Sequence, residues 1–196
     1  MPPASPIARP TVSIFARLPV PGQVKTRLIP ALGKEEAARV YARLLDHTVT
    51  QVRASGLPFE LRVTGGEADA FGSLYGDVVV TAQGEGDLGA RMARVSPPGL
   101  IIGSDCPGLN AAVLRAAADA LTEREAVIGP ATDGGYYLIG MTRPMAFLFG
   151  DMEWSTPRVF AETLVRLVDN GVAPAVLPEL SDIDTGEDLA RWPTFQ

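Results

Sequence analysis

The chain has 196 residues, 46% of them hydrophobic and 20% charged, with a formal net charge of -6 at pH 7. That length suits one domain with a substantial core, and that composition excludes a disordered chain. There is no basic stripe of the kind a nucleic-acid binder shows, and no apolar run approaches the roughly 18 residues of a membrane span, so neither partner is expected.

One cysteine, Cys106, allows no intrachain disulfide, in keeping with a reducing, cytoplasmic location. Residues 1–10 hold four prolines and no apolar signal-peptide segment. They are expected to form a flexible tail ahead of a single domain over 11–196. Thr11 to Ala16 is β-branched and apolar, the first predicted strand. The loop that follows, Arg17 to Leu28, is stiffened by Pro19 and Pro21 and carries three cations, Arg17, Lys25 and Arg27. Such a concentration in an acidic chain suits a polyphosphate, because guanidinium offers a fork of donors and ammonium a point charge. It is not a Walker A loop, since Val24 replaces the glycine before Lys25-Thr26. A solvated basic loop is the simpler alternative.

After Gly33 a long helix is predicted, with Ala37, Val40, Tyr41, Leu44, Leu45, Thr48, Val49 and Val52 on its apolar face and Gly56 and Pro58 at its end. His47 lies beside the polar face and, with no second histidine in the chain, reads as a surface residue rather than a ligand or base. Phe59 to Thr64 alternates like a strand near a sheet edge, a short helix ends near Gly76, and residues 77–81 form the next strand. The stretch from Gln83 to Gly89 then spells G-x-G-x-x-G, with Asp105 about 20 residues further on. Dinucleotide binding, as in an NAD-dependent oxidoreductase, is therefore a rival reading. Glu85 and Asp87 would repel a pyrophosphate, however, and Asp87 serves better as the N-cap of a helix through Val95.

Gly99-Leu100-Ile101-Ile102 is an apolar run without polar alternation, which predicts a central parallel strand buried on both faces. Asp105 then stands at its carboxyl end, where open α/β sheets bind ligands. Asn110, not Asp105, is placed to cap the helix from Ala111 to Leu121. Beyond the strand Ala126 to Gly129, Asp133-Gly134-Gly135 makes a sharp turn that leaves backbone donors open to a ligand; a plain hairpin turn is the alternative. Ser155 or Thr156 is expected to cap a helix that has Pro157 in its first position and Phe160, Leu164, Leu167 and Val168 on its apolar face. Val172 to Leu177 is the last predicted strand, and Thr185 caps a short helix after a second acidic turn.

Two acidic turns far apart in sequence, together with a basic loop, compose a workable metal–phosphate site. Magnesium takes one or two protein carboxylates and completes its shell with water and phosphate, so Asp105 with Asp184, or with Asp182, would suffice. Lys25 and Arg27 would neutralise charge that develops during transfer. Cys106 has no evident base and reads as a packing residue.

The series Phe15 to Gly22 with Lys25-Thr26-Arg27-Leu28, then Gly86-Asp87-Leu88-Gly89, Gly103 to Pro107, Asp133 to Tyr137 and Asp184 to Leu189, resembles domain-of-unknown-function family 2064 of the nucleotide-diphospho-sugar transferase superfamily. The resemblance runs from about Val12 to Ala190. It implies an α/β protein of GT-A fold, a mostly parallel central sheet with helices on both faces, that binds an activated nucleotide through Mg2+ or Mn2+. Lys25, Arg27 and Asp105 would serve the chemistry, with Asp105 and Asp184 on the metal. Arg17, Gln83, Gly84, Gly89 and Ser104 would join Lys25 and Arg27 on the nucleotide side. Asp133, Gly134, Gly135, Tyr136 and Trp154 would face the acceptor. Members of the family are commonly labelled glycosyltransferases, some of them in arsenosugar synthesis, and the Lys-Thr-Arg-Leu loop is also similar to that of a guanylyltransferase acting on phospholactate. A basic loop suits a triphosphate better than a diphospho-sugar. The favoured expectation is thus nucleotidyl transfer from an NTP to a small phosphorylated or sugar-like acceptor, with glycosyl transfer from a nucleotide sugar the alternative.

Overall fold

The computed structural model describes residues 9–76 and 78–196. Of the expected tail over 1–10, only Arg9 and Pro10 fall within this range, and Pro10 is buried. The remainder of that tail lies outside the described residues.

Seven strands form one sheet: β1 (Thr11–Arg17), β2 (Phe59–Thr64), β3 (Val79–Ala82), β4 (Gly99–Ile102), β5 (Ala126–Pro130), β6 (Tyr136–Met141) and β7 (Ala175–Val176). Their order is β3-β2-β1-β4-β6-β5-β7. Every neighbouring pair is parallel except those made by β6, which runs against both β4 and β5. β4 is buried at all four residues, as its unbroken apolar run requires, but it has one parallel and one antiparallel neighbour instead of two parallel ones. The reversal comes from the Asp133-Gly134-Gly135 turn, where Gly134 adopts φ 86. β5 and β6 are thus a hairpin whose tip points to the same sheet edge as the end of β4.

Helices α1 (Ile29–Leu32), α2 (Lys34–Ser55), α3 (Ala68–Tyr75), α4 (Leu88–Met92), α5 (Ala111–Ala120), α6 (Val159–Asp169) and α7 (Gly186–Ala190) cover both faces. Side chains alternate across a strand, and the core divides accordingly. Leu100, Ile102 and Leu138 pack with Leu45 and Val49 of α2 and Leu114 of α5 on one face. Ile101 and Ile139 pack with Met92 of α4 and Leu167 of α6 on the other. A further cluster joins Leu28, Val40 and Leu44 to Ile183, Leu189 and Phe195, so the end of the chain is seated on α2. Among the described residues, no helix is long and apolar enough to cross a membrane.

Caps fall where side-chain chemistry puts them. Asp87, Asn110 and Thr185 each accept from backbone N–H groups in the first turn of α4, α5 and α7, and Thr185 with Asp188 completes a capping box. Other expectations need correction. α4 ends at Met92 rather than Val95. α6 begins at Val159: Ser155 sits at φ 62, and the Thr156 hydroxyl donates to the Glu153 carbonyl, so a turn precedes the helix and neither residue caps it. Val168 is 67% exposed. The inward stripe is instead Val159, Thr163 and Leu167, because the Thr163 hydroxyl is satisfied by the Val159 carbonyl at 2.7 Å and can be buried. β7 shrinks to two residues between Pro174 and Pro178, which lack the N–H that pairing needs. His47 is half-buried, not a surface residue: its Nε2 lies 2.9 Å from the Leu109 carbonyl and its ring meets Phe195 edge-on.

Candidate functional site

The loop after β4 is held from three directions. Buried Ser104 donates from Oγ to the Phe15 carbonyl at 3.1 Å and shares a 2.8 Å hydrogen bond with the Tyr41 hydroxyl, which in turn accepts from the Arg17 N–H at 2.9 Å. Strand β1 and helix α2 therefore fix where Asp105 emerges. The second acidic turn is fastened to the first by the Ile183 N–H, which donates to the Asp105 carbonyl at 3.1 Å. Ile183 is fully buried, and its neighbours Asp182 and Asp184 line the cleft. Tyr41→Phe strips the Arg17 N–H and Ser104 of a shared partner. We expect a loss of about 1–2 kcal/mol, read as a lower midpoint in urea unfolding at unchanged slope.

The basic loop is more than a solvated loop. Val24 and Leu28 are buried on either side of Lys25, whose backbone adopts the left-handed region at φ 44 and ψ 46. For a residue with a Cβ this costs roughly 1–2 kcal/mol, and such outliers cluster where geometry serves a task. The Lys25 side chain is 6% exposed, and Nζ lies 2.9 Å from Asp105 Oδ2 and 3.7 Å from Asp184 Oδ1. Burial opposes its charge, but Asp105, then Asp184 and Asp182, outweigh burial and hold its pKa above the ordinary value. Arg27, 74% exposed, pairs with Asp184 at the rim. Arg17 is also exposed, its stem lying against the bare Cα of Gly65.

Burial first, then the charges of Asp105 and Asp133, push the Asp182 carboxyl up to about 6 from its ordinary 3.8, against the opposing pull of Lys25. A carboxyl that binds its proton more tightly in the folded state contributes stability below the unfolded value and loses it as pH rises through the folded value. Asp182→Asn is therefore expected to melt higher than the wild type near pH 7. The gap, about 1 kcal/mol after allowance for solvent screening, should close near pH 4. Thermal melts of both proteins across that range test this.

Two adjoining cavities open at this edge. One, of about 420 Å³, is lined by Arg17, Lys25, Arg27, Tyr41 and Asp184. The other, of about 320 Å³, is walled by Leu88, Tyr136, Tyr137, Trp154 and Val159. Asp105, Asp133, Ser155 and Asp182 border both. The structure thus gathers Arg17, Lys25, Arg27 and Asp184 on one side, Gly135, Tyr136 and Trp154 on the other, and Asp105 and Asp133 between them.

Other expected site residues face protein instead. The Gln83 amide is buried and donates to the Ala16 and Arg62 carbonyls at 3.1 and 3.0 Å, clasping β1 to β2. Ser104 spends its hydroxyl inward, as described. Gly84 stays exposed with only the Arg94 guanidinium near it, whereas the bare face of Gly89 is taken by the Phe149 carbonyl and the Trp154 indole. Gly134 lies against the Pro157 backbone. Of the G-x-G-x-x-G spelling, only Gly89 is therefore buried in close protein packing, and the motif follows an edge strand, β3. Tyr41 and Ile183 also build the site without being among the expected residues: in sequence Tyr41 belongs to the apolar face of α2, and Ile183 lies inside the second acidic turn. Burial raises the Cys106 thiol to about 12, which leaves it no thiolate to act as nucleophile.

Asp105 and Asp184 converge on one cationic point, a donor pair that fits magnesium or manganese. Among the described residues, no group of three or more His, Cys, Asp or Glu side chains is arranged to hold a metal. Water and phosphate oxygens would complete the shell.

The family model described as "Uncharacterized protein conserved in bacteria (DUF2064)" matches residues 47–156. The chain belongs to the DUF2064 family. No curated protein matches it. A crystal structure from Desulfovibrio desulfuricans G20, provisionally named a nucleotide-diphospho-sugar transferase, is 28% identical with TM-score 0.86, covering 92% of this DUF2064 chain and 84% of that one. Rv0371c of Mycobacterium tuberculosis H37Rv, in complex with manganese, is 20% identical with TM-score 0.52, covering 93% and 97% of the two chains. The 4-diphosphocytidyl-2C-methyl-D-erythritol synthase of Anaerococcus prevotii DSM 20548 is 13% identical with TM-score 0.58, covering 94% and 96%. The last two likenesses are of fold. This DUF2064 protein has the nucleotide-diphospho-sugar transferase fold, with a mostly parallel sheet between helical layers. The matched segment holds Asp105, Asp133 and Trp154, whereas Lys25 and Asp184 come from either side of it.

Proposed function

We propose that this protein is a divalent-metal-dependent nucleotidyltransferase that moves a nucleotidyl group from an NTP to a small hydroxyl-bearing acceptor, within a single domain over 11–196 working in the cytoplasm. One observation carries the reading: buried Lys25 meets Asp105 and Asp184 in a cation-rimmed cavity that opens into an aromatic one. Lys25, Arg27 and Arg17 would bind the triphosphate and stabilise charge that builds on the departing diphosphate. Asp105 and Asp184 would hold Mg2+ or Mn2+. When bound, the ion would act as a Lewis acid on phosphate oxygens.

The acceptor would rest on Tyr136 and Trp154 with a hydroxyl toward Asp182. With its pKa near 6, the Asp182 carboxylate is suited to take that hydroxyl proton at neutral pH. Among the described residues, the lining of the aromatic cavity includes aspartates but no lysine or arginine, which favours a sugar-like acceptor over a phosphorylated one. The same wall, with the name of the D. desulfuricans relative, favours glycosyl transfer from a nucleotide sugar as the second reading. Shared fold with a manganese-bound protein and with a 4-diphosphocytidyl-2C-methyl-D-erythritol synthase supports metal and nucleotide use.

A melting screen separates the readings. NTPs and nucleotide sugars are each tested with and without magnesium. An NTP at about 100 times Kd should add about 2.7 kcal/mol, or roughly 5–10 °C, only when magnesium is present. Stabilisation by a nucleotide sugar alone would replace nucleotidyl with glycosyl transfer, and stabilisation by NAD without metal would overturn both.

A further inference from the structure

We infer that Lys25 is a built-in counter-cation that holds the metal position between Asp105 and Asp184 until phosphates arrive, so the acid pair takes up a divalent ion together with the nucleotide and not before it. This rests on the proposed metal–nucleotide reading. Lys25 Nζ is 2.9 Å from one carboxylate oxygen and 3.7 Å from the other, on a side chain only 6% exposed. An ion ligated by both carboxylates would claim the same point, because its oxygens must lie about 2.0–2.1 Å away. Ammonium and divalent ion cannot share that point, because two cations at one position repel.

The chain is built so that this side chain can move while its backbone stays. Val24 and Leu28 are buried in separate apolar clusters on either side of Lys25, which fixes the main chain even in its left-handed conformation. The four-carbon stem is the remaining freedom. It borders the same cavity as Arg17 and Arg27, where a polyphosphate would offer the ammonium a replacement for the carboxylates it leaves. Phosphates therefore do two things at once: they draw Lys25 off the acids, and they put charged oxygens in a shell that water alone would otherwise complete. Among the described residues no cluster of three or more ligating side chains is arranged to hold an ion in their place. Without phosphates, a free ion would face two carboxylates already held by an ammonium.

Manganese tests this, with bound ion read from water-proton relaxation. Inorganic tripolyphosphate serves as the phosphate probe, so the nucleotide base need not be known. For the wild type, Mn2+ alone should bind weakly, and tripolyphosphate should raise the apparent affinity of the protein for Mn2+ at least tenfold. Lys25→Ala and Lys25→Gln should bind Mn2+ alone at least tenfold more tightly than the wild type. Lys25→Arg, which keeps a cation, should not, and adding Asp105→Asn to Lys25→Ala should abolish the gain. If Lys25→Ala unfolds, Lys25→Gln keeps a donor for Asp105, and the wild-type comparison with and without tripolyphosphate decides alone. Equal Mn2+ affinity in the wild type and the lysine variants, with a ternary complex still formed, would overturn the counter-cation while leaving the functional reading intact. No protein-bound Mn2+ with tripolyphosphate, in wild type or variants, would overturn both.

Discussion

Replacing Asp105 with asparagine should lower transfer about 100- to 1000-fold, the range seen when one preorganised electrostatic partner of a reacting centre is removed. It should also erase stabilisation by magnesium and nucleotide. The substitution is nearly isosteric and leaves an amide oxygen to accept from Lys25, so the hydrogen bond at 2.9 Å need not be lost. The carboxylate is 39% exposed, which limits the stability cost of removing its charge to about 1–2 kcal/mol. The loop itself is held through the Ser104 hydroxyl and the Asp105 backbone carbonyl, neither of which the change touches. The variant should therefore melt within a few degrees of the wild type without ligand while the shift on adding magnesium and NTP disappears. A full magnesium-dependent shift in Asp105→Asn would remove Asp105 from the metal.

The second large effect is on stability. Gly134→Ala should cost about 3 kcal/mol or more, which for a chain of this size lowers the melting temperature by roughly 6–12 °C. Two penalties coincide there. The backbone sits at φ 86, and a Cβ would fall 2.5 Å from the Pro157 Cα and still nearer to its carbonyl oxygen, where no rotamer change gives relief. The turn cannot easily back away, because the Gly134 carbonyl accepts from the Phe160 N–H at 2.9 Å. Gly22→Ala is the control. It has φ 81 but nothing within 4 Å of the added carbon, so it should cost only about 1 kcal/mol. Melting both variants separates the clash from the φ penalty.

Much of the scaffold could be read from the sequence because it depends on local chemistry. The apolar run of β4, the long stripe of α2 and the caps Asp87, Asn110 and Thr185 are each specified by a few adjacent residues. The direction of β6 is not, since an apolar run pairs either way and only the Gly134 turn and its neighbours decide. Glycines misled for a physical reason. A missing side chain announces that something comes close, but not whether it is a ligand or, as at Gly89 and Gly134, the protein itself. The cations of the basic loop and the two acidic turns were visible separately. That Lys25 is buried against Asp105, 80 residues away, was not. Asp184 joins that pair only because Ile183 docks the second acidic turn onto the Asp105 carbonyl, and nothing in the residues near Lys25 encodes it.

The central sheet also separates two tasks. Lys25 and Tyr41 belong to the layer built on α2, whereas Tyr136 and Trp154 pack with Met92 and Leu167 in the layer across the strands. The acids between the two cavities are common property, but the walls are not. Changes at sites that share no partners combine almost additively. On the proposed reading, replacing Trp154 or Tyr136 would therefore alter which acceptor fits and leave Lys25 and Arg27 with their own partners. A DUF2064 scaffold divided this way would exchange one proposed substrate while keeping the other.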